Sequence, residues 1–508
     1  MEALTGLAYG FTVALEPYNL FFLLLGVVLG LVVGVLPGLG GTSGVAILLP
    51  VTVFIAPNAA IMLLAGIYWG ALFGGVVTSI LFNIPGEPWS VALLFDGHPL
   101  AKMGRAGFAL TAAFVASFFS GLIANVLFTF FALPLAEFAL RFGPPEIFAI
   151  MLMAFGTFVG MGGSSPIKTI VMLGAGFLLA SVGLDIVTGQ PRLTFGSITL
   201  LSGFNFVPVT IGLFGIGEIL AGAEEEEAGK GGISSRVGLA ELTESIREHG
   251  RHIWLFLAST LVGFWVGVMP GTGATPASFM GYGMARQYSK NPEQFGKGAI
   301  QGVIAPQAAA NAAGVGSILP MVTLGVPGSP TAAVIMAGLF IWGLTPGPQL
   351  FLDKPDFVWG LIASLYIAQT AALLICLAAV PLLAAIMKVP YALLTPFIVV
   401  ISILGAYAIN NSIFDVWITL IFGLVGYVLS KLRYPLAPLV VALVLGDPTE
   451  SALRQTLILS GGSLDILFTR PIAGPLTVVA LLLFLLPVIQ WGRRRLRGRA
   501  EATTPAGT

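Results

Sequence analysis

Two stretches constrain the fold of this chain more than any others. They are Gly34-Val-Leu-Pro-Gly-Leu-Gly-Gly-Thr-Ser-Gly44 and Gly267-Val-Met-Pro-Gly-Thr-Gly-Ala-Thr-Pro-Ala277. Each follows an apolar run long enough to enter a bilayer, interrupts it with Pro-Gly-x-Gly, and continues with small hydroxyl residues. Proline removes a backbone donor, and glycine disfavours a helix. In lipid the freed backbone groups must meet protein, water or a ligand. Helices broken in matching places of two halves are the sequence mark of a transporter binding site.

Apolar runs of about 18 residues or more recur along most of the chain, as membrane spans require. Only 9% of the 508 residues are charged and 57% are hydrophobic; soluble domains average roughly 25% charged. Mean hydropathy is +0.97. This excludes a water-soluble fold. The net formal charge is zero, so no nucleic-acid partner is expected, and Cys376, the one cysteine, allows no disulfide framework. The expected fold is an all-α polytopic membrane protein of about 10–14 spans, with broken helices, re-entrant hairpins and two inverted-topology repeats.

In chain order, residues 1–17 read as a polar lead-in and 18–36 as the first span. Val45–Ile55 is too short to cross and reads as a half-span. Residues 59–83 carry Gly66, Gly70 and Gly74 on one helix face, a pattern that suits helix–helix contact. That run ends in a second break, Asn83-Ile-Pro-Gly-Glu-Pro-Trp-Ser90, and Phe95–Arg105 reads as a polar turn. Spans follow at 107–133, 144–163, 167–187 and 197–221. The second half offers 253–269, 299–324, 332–344, 357–387, 390–408, 413–430, 435–446 and 472–491, of which 332–344 and 435–446 are short enough for half-spans. The domain reading is an N-terminal transmembrane repeat with following spans (1–222), a cytoplasmic linker (223–252), a C-terminal repeat with following spans (253–492) and a basic cytoplasmic tail (493–508).

The repeat rests on order as well as motif. Pro37-Gly38 is followed by Pro85-Gly86, and Pro270-Gly271 by Pro327-Gly328; both second breaks read aliphatic-Pro-Gly-x-Pro. The wider second spacing fits the polar insertion around 285–297. The cations of the tail and linker place both inside, and the first seventeen residues carry no Lys or Arg. The two repeats are then expected to run in opposite directions.

These residues resemble the large membrane subunit of the tripartite tricarboxylate transporters. The likeness lies in Gly34–Pro50, Asn83-Ile-Pro-Gly-Glu87, Asp96-Gly97, Ala101–Ala106, Gly267–Gly273, Ser289–Gly296, Gly302–Pro306 and Leu324–Ser329. It implies a multi-pass subunit of the bacterial inner membrane, working with a small four-span membrane subunit and a periplasmic carboxylate-binding protein. It also implies ion-driven secondary uptake of small tricarboxylates or dicarboxylates without ATP. The chain departs from the family pattern in three places: Gln307 stands for an acid, only Asn311 remains of a pair of asparagines, and Ala285-Arg286 stands for a Glu-Lys.

A half-helix N-terminus presents free N–H groups and about half a positive charge, so it can hold a carboxylate without a lysine. Glycine lets backbone approach a ligand, and Ser and Thr add donors. The candidate substrate-binding residues are Gly38, Gly40, Thr42, Ser43, Asn83, Pro85, Gly86, Ser90, Gly271, Gly273, Thr275, Asn311, Pro327, Gly328 and Ser329. No Asp, Glu or His stands clearly at mid-span, so a coupling sodium ion, held by oxygens at the helix breaks, is favoured over a proton. No other cofactor is expected. His98, His249 and His252 read as loop residues without a metal cluster, and no HExxH or P-loop is present, so an enzyme is not expected. A carrier for another small organic anion and a passive anion channel stay open as alternatives.

Overall fold

The computed structural model describes residues 2–36, 39–161, 165–185, 189–222, 238–386 and 391–502. In chain order its helices are α1 (Glu2–Ala14), α2 (Pro17–Val35), α3 (Gly41–Leu48), α4 (Pro57–Phe82), α5 (Val91–Leu100), α6 (Ala106–Ala139), α7 (Pro144–Met161) and α8 (Pro166–Ala180). A strand pair, β1 (Gly183–Leu184) and β2 (Pro191–Arg192), follows, antiparallel with Gly183 opposite Arg192. Then come α9 (Phe206–Thr210), α10 (Gly217–Gly222), α11 (Leu239–Arg251), α12 (Ile253–Val268), α13 (Ala274–Gln287), α14 (Gln301–Leu324) and α15 (Pro330–Ile341). The last are α16 (Leu350–Asp353), α17 (Pro355–Ile386), α18 (Tyr391–Asn410), α19 (Ile413–Lys431), α20 (Ala437–Leu459), α21 (Ile466–Thr469) and α22 (Ala473–Ala502). The chain forms two compact units, residues 1–140 with 205–431, and residues 141–204 with 432–508.

Among the described residues, five helical stretches are long and apolar enough to cross a membrane: Pro17–Val35, Pro57–Phe82, Pro88–Ala139, Pro355–Ile386 and Ile413–Lys431. A bent pair, Ala240–Arg251 with Ile253–Val268, makes six if counted as one span. This is fewer than the sequence suggests: apolar helices of 10–17 residues, among them Pro144–Val159, Pro166–Ala180 and Ala473–Ile489, lie where whole spans are expected, while Gly41–Phe54 and Pro330–Ile341 fall on the expected half-spans.

The larger unit is held by glycine. On α2, a Cβ added at Gly26, Gly30 or Gly34 would stand 2.3, 2.2 or 2.4 Å from the carbonyl oxygens of Leu63, Ile67 and Ala71 on α4. In return, Gly66, Gly70 and Gly74 of α4 meet the carbonyls of Leu23, Val27 and Leu31. The glycine stripe of α4 is therefore a helix–helix seam, closed by backbone on backbone. The pair α12 and α14 repeats the arrangement: Gly263 and Gly267 lie against Ala309 and Ala313, and Gly316 against the Phe264 carbonyl. Along each helix the matched positions keep one register, Gly30 with Gly263, Gly34 with Gly267, and Gly74 with Gly316.

Asp96 ties the insertion of the second half to α5. One carboxylate oxygen accepts from the backbone N–H groups of Gly296, Gly298 and Ala299, at 2.9, 2.8 and 2.8 Å. Of the expected polar turn at 95–105, residues to Leu100 belong to α5, with Asp96 buried, and the chain turns at the exposed residues 102–105, where Gly104 takes φ 80°. His98 also belongs to α5, its Nδ1 facing the Ile80 carbonyl at 3.0 Å, and His249 lies in α11, so neither is a loop residue. No cluster of metal-ligating side chains occurs among the described residues.

Four further expectations are corrected. Residues 1–17 contain α1, whose Gly10 meets the Trp359 carbonyl of α17, so apolar packing overrides the polar reading. The 167–187 span stops at Ala180, and the 435–446 run continues as α20 to Leu459. The 197–221 span begins as a short turn and becomes regular only from Phe206, with a widened helix over Ile211–Ile216. Most of the linker, 223–237, and the last residues, 503–508, lie outside the described residues.

In the smaller unit, α8 presses Gly176 against the Leu439 carbonyl of α20. Further along α20 the buried Asp185 accepts a two-pronged bond from Arg454, at 3.0 and 2.8 Å, and Arg192 bonds Glu450 at 2.9 Å. A paired, bidentate carboxylate of this kind is the form in which a buried charge is tolerated.

Gly70→Val should cost the protein ~3 kcal/mol through overpacking of the α2–α4 seam. Gly283→Ala, where an added Cβ meets nothing within 4 Å, should leave thermal unfolding in detergent unchanged or slightly raised. Asp96→Ala should strand three backbone donors and lower stability by about 3 kcal/mol or more, read as an early-melting, protease-sensitive 285–300 segment.

Candidate functional site at the helix breaks

The second break of each half has a defined geometry. Asn83 ends α4 in the left-handed conformation, with φ 59°, and Gly325 ends α14 in the same way, with φ 70°. A few residues on, a Cβ at Gly86 would meet the Gly34 carbonyl and Gly75, both 2.8 Å away. A Cβ at Gly328 would meet the Gly267 carbonyl at 2.4 Å and Ser317 at 2.6 Å. The second break of each half is thus pressed into the seam below it, where only glycine fits.

The freed backbone groups find partners across the breaks. Gly271 N–H donates to the Pro327 carbonyl at 3.3 Å, and Gly273 N–H to the Gly328 carbonyl at 3.0 Å. Gly328 N–H donates to the Ser317 carbonyl at 3.0 Å. Gly271 and Gly273 have φ of 79° and 66°, which a side chain would strain. Ser329 caps α15 by accepting from Ala332 N–H at 3.0 Å, and its hydroxyl donates to Ser317 Oγ at 3.1 Å. The Tyr68 hydroxyl of α4 lies beside Ser317 and Ser329.

The first half closes differently. Gly41 N–H, at the N-terminus of α3, donates to Glu87 Oε1, and Trp89 Nε1 donates to Glu87 Oε2 at 3.1 Å. Ser90 Oγ turns back to the Glu87 carbonyl at 2.8 Å. Gly40 leaves the space that the Glu87 stem fills, since a Cβ there would lie 2.6 Å from Glu87 Cγ. The two halves then meet at their hydroxyls: Thr42 Oγ1 lies 2.8 Å from Thr331 Oγ1, joining the N-termini of α3 and α15. The helix ends, the hydroxyls and the absence of side chains at the glycines together make a setting in which an anion can be held by backbone.

The chain matches the tripartite tricarboxylate transporter TctA family over residues 20–441. The chain belongs to that family. It is 39% identical over 493 residues to an uncharacterized 52.8 kDa protein of the TAR-I ttuC' 3' region of Agrobacterium vitis, covering 96% of this chain and 98% of that protein. A second relative, an uncharacterized protein of the TAR-II ttuC' 3' region of the same organism, is 39% identical over 231 residues, 45% of this chain and 96% of its own length. No solved structure matches the chain. With its apolar helices, TctA-family membership makes this a multi-pass membrane protein of a transporter family that works with partner subunits.

Of the residues singled out in sequence, Gly40, Thr42, Gly271, Gly273, Pro327, Gly328 and Ser329 lie in the bonded breaks just described. Gly86 and Ser90 position the second break of the first half. Ser43 is buried one residue beyond Thr42, Thr275 lies in the first turn of α13, and Pro85 is half-buried between Asn83 and Gly86. Asn83 is exposed. Gly38 lies outside the described residues.

Asn311 belongs elsewhere: it accepts from Gln369 Nε2 of α17 at 2.8 Å, in a buried amide layer where Gln307 Nε2 also donates to Ser117 Oγ of α6. Sequence reasoning missed Glu87, Tyr68 and Ser317. A search for acids inside apolar runs passes over Glu87 because it stands between two of them, in the Pro-Gly-Glu-Pro turn.

Gly328→Val should drive a side chain into the Gly267 carbonyl and Ser317. Transport should fall by at least about 100-fold, the loss expected when positioning at a site is disturbed by an ångström. Surface expression should be reduced far less, as judged by quantitative immunoblotting of membranes.

Proposed function

We propose that this chain is the permease subunit of a binding-protein-dependent secondary transporter that imports small carboxylates of the tricarboxylate or dicarboxylate type. The observation that carries the reading is the meeting of the α3 and α15 N-termini at Thr42 and Thr331, between breaks lined by backbone rather than by cations. A substrate carboxylate there would take N–H groups at the helix ends and hydroxyls from Thr42, Ser43, Thr275 and Ser329. Gly86 and Gly328 let the breaks seat on the helix seams, Gly40 leaves room for the Glu87 stem, and Gly271 and Gly273 supply left-handed backbone beside the helix ends. Energy comes from a sodium or proton gradient.

The working unit is completed by a small four-span membrane subunit and a periplasmic carboxylate-binding protein in the bacterial inner membrane. The two halves are inverted-topology repeats. Support for this comes from the shared glycine register of α2–α4 and α12–α14, and from the crossed association in which α3 meets α15 while α13 meets the turn at Pro88–Ser90. Matched half-helices facing each other across one centre are the plan by which such carriers open alternately to the two sides.

The test is uptake of labelled citrate and succinate into proteoliposomes holding this chain and the small subunit, with the binding protein outside. Accumulation should require both the binding protein and an imposed sodium or proton gradient. Flux that runs without either would replace the carrier by a channel. No flux of either acid by folded protein would remove simple carboxylates as substrates.

A further inference from the structure

Glu87 is a charged group in a place that an anion carrier should keep free. Its carboxylate accepts from Gly41 N–H at the head of α3 and from Trp89 Nε1, so both oxygens are engaged. Gly40 is shaped to receive its stem. Among the described residues it forms no ion pair with Lys, Arg or His. The titratable side chain whose field it meets is Tyr68 of α4; α3 faces it with glycine and the 88–90 turn with Trp89. The equivalent position in the second half is Ser329, a neutral cap of α15. The second half therefore holds its break with a neutral hydroxyl, and the first with a carboxyl that has no cationic partner among the described residues.

We propose that Glu87 is the residue on which the co-transported cation, a proton or a sodium ion, lands, and that neutralising it is what admits a substrate carboxylate to the α3 N-terminus. The proposal rests on the carboxylate-carrier reading for its second half only. Two carboxylates next to one helix end repel each other, and the partial charge of one helix terminus cannot balance both. A proton on Glu87, or a sodium ion held between Glu87 and the neighbouring hydroxyls of Thr42 and Thr331, removes that repulsion. Cation and substrate then bind each other's state more tightly, and by linkage the same factor acts in both directions. Coupling follows from charge balance at one carboxylate, with no separate ion channel through the protein.

The experiment uses the purified full-length chain and compares wild type with Glu87→Gln, which keeps an acceptor for Gly41 N–H but cannot be charged. Trp89 fluorescence, assigned by difference against Trp89→Phe, is titrated with protons and separately with sodium chloride against choline chloride. Wild type should respond to one of the two, which names the ion, and Glu87→Gln to neither. Citrate and succinate affinity should tighten by about tenfold as that cation is raised in wild type and stay within about twofold in Glu87→Gln. In proteoliposomes Glu87→Gln should retain exchange of internal for external substrate while losing gradient-driven accumulation.

A Glu87→Gln protein that still accumulates substrate with wild-type cation dependence overturns the proposal, as does a wild type whose Trp89 responds to neither cation. If Glu87→Gln does not fold, Glu87→Asp must keep the cation response. A folded Glu87→Asp protein without it overturns the proposal equally. Failure of wild type to bind either acid removes the carboxylate reading, yet leaves the Trp89 titration to decide the role of Glu87.

Discussion

The structure depends on where the backbone hydrogen bonds of its Pro-Gly breaks go, three of which lie among the described residues. Each break frees N–H and C=O groups that a membrane interior cannot satisfy. In the second half they are taken up by other backbone, Gly271 by Pro327, Gly273 by Gly328 and Gly328 by Ser317. Those bonds form only because Gly328 reaches the α12–α14 seam, and that reach requires α12 and α14 to touch backbone to backbone through Gly263, Gly267 and Gly316. Close helix approach and broken helices are thus one device. The glycines that bring the helices together also make the shelf on which the breaks rest.

The same device accounts for how the hydroxyls come to face one another. Ser329 is fixed twice, by Ala332 N–H and by Ser317, so α15 starts at a set place. Gly41 is fixed by Glu87, so α3 does too. Thr42 and Thr331, each one or two residues into its helix, meet as a result. A rigid frame that fixes short helix ends is what positions donors without long charged side chains, each of which would add ordering entropy and desolvation.

Much of this was legible in the chain. Proline and glycine announce the breaks through backbone chemistry alone, and the Gly66, Gly70 and Gly74 spacing announces a helix seam because a four-residue repeat stays on one face. The partner of a residue was not legible. Glu87 and Gly41, Thr42 and Thr331, and Asn311 and Gln369 are far apart in sequence, and nothing local couples them. Asn311 reads in sequence as a polar residue in need of a partner; its oxygen takes the Gln369 amide of another helix, while its Nδ2 is buried without one. Helix ends were less legible for a related reason: hydropathy measures composition along a run, whereas helix length is decided by the prolines and by packing, as in α8 and α20.

The glycine seams also set what kinds of sequence change this architecture can survive. A substitution outside the seam alters one contact, but gaining or losing a single residue within α4 between Gly66 and Gly74 would turn everything beyond it by about 100°. With a residue gained, Phe73 would face α2 where Gly74 now lies; with one lost, Gly75 would take that place and Val76 would stand under Gly86 where Gly75 now makes the shelf. Length variation among related chains should therefore collect in segments such as 285–297, where the second half already carries its extra residues, and the paired helices should keep their spacing even as their side chains drift.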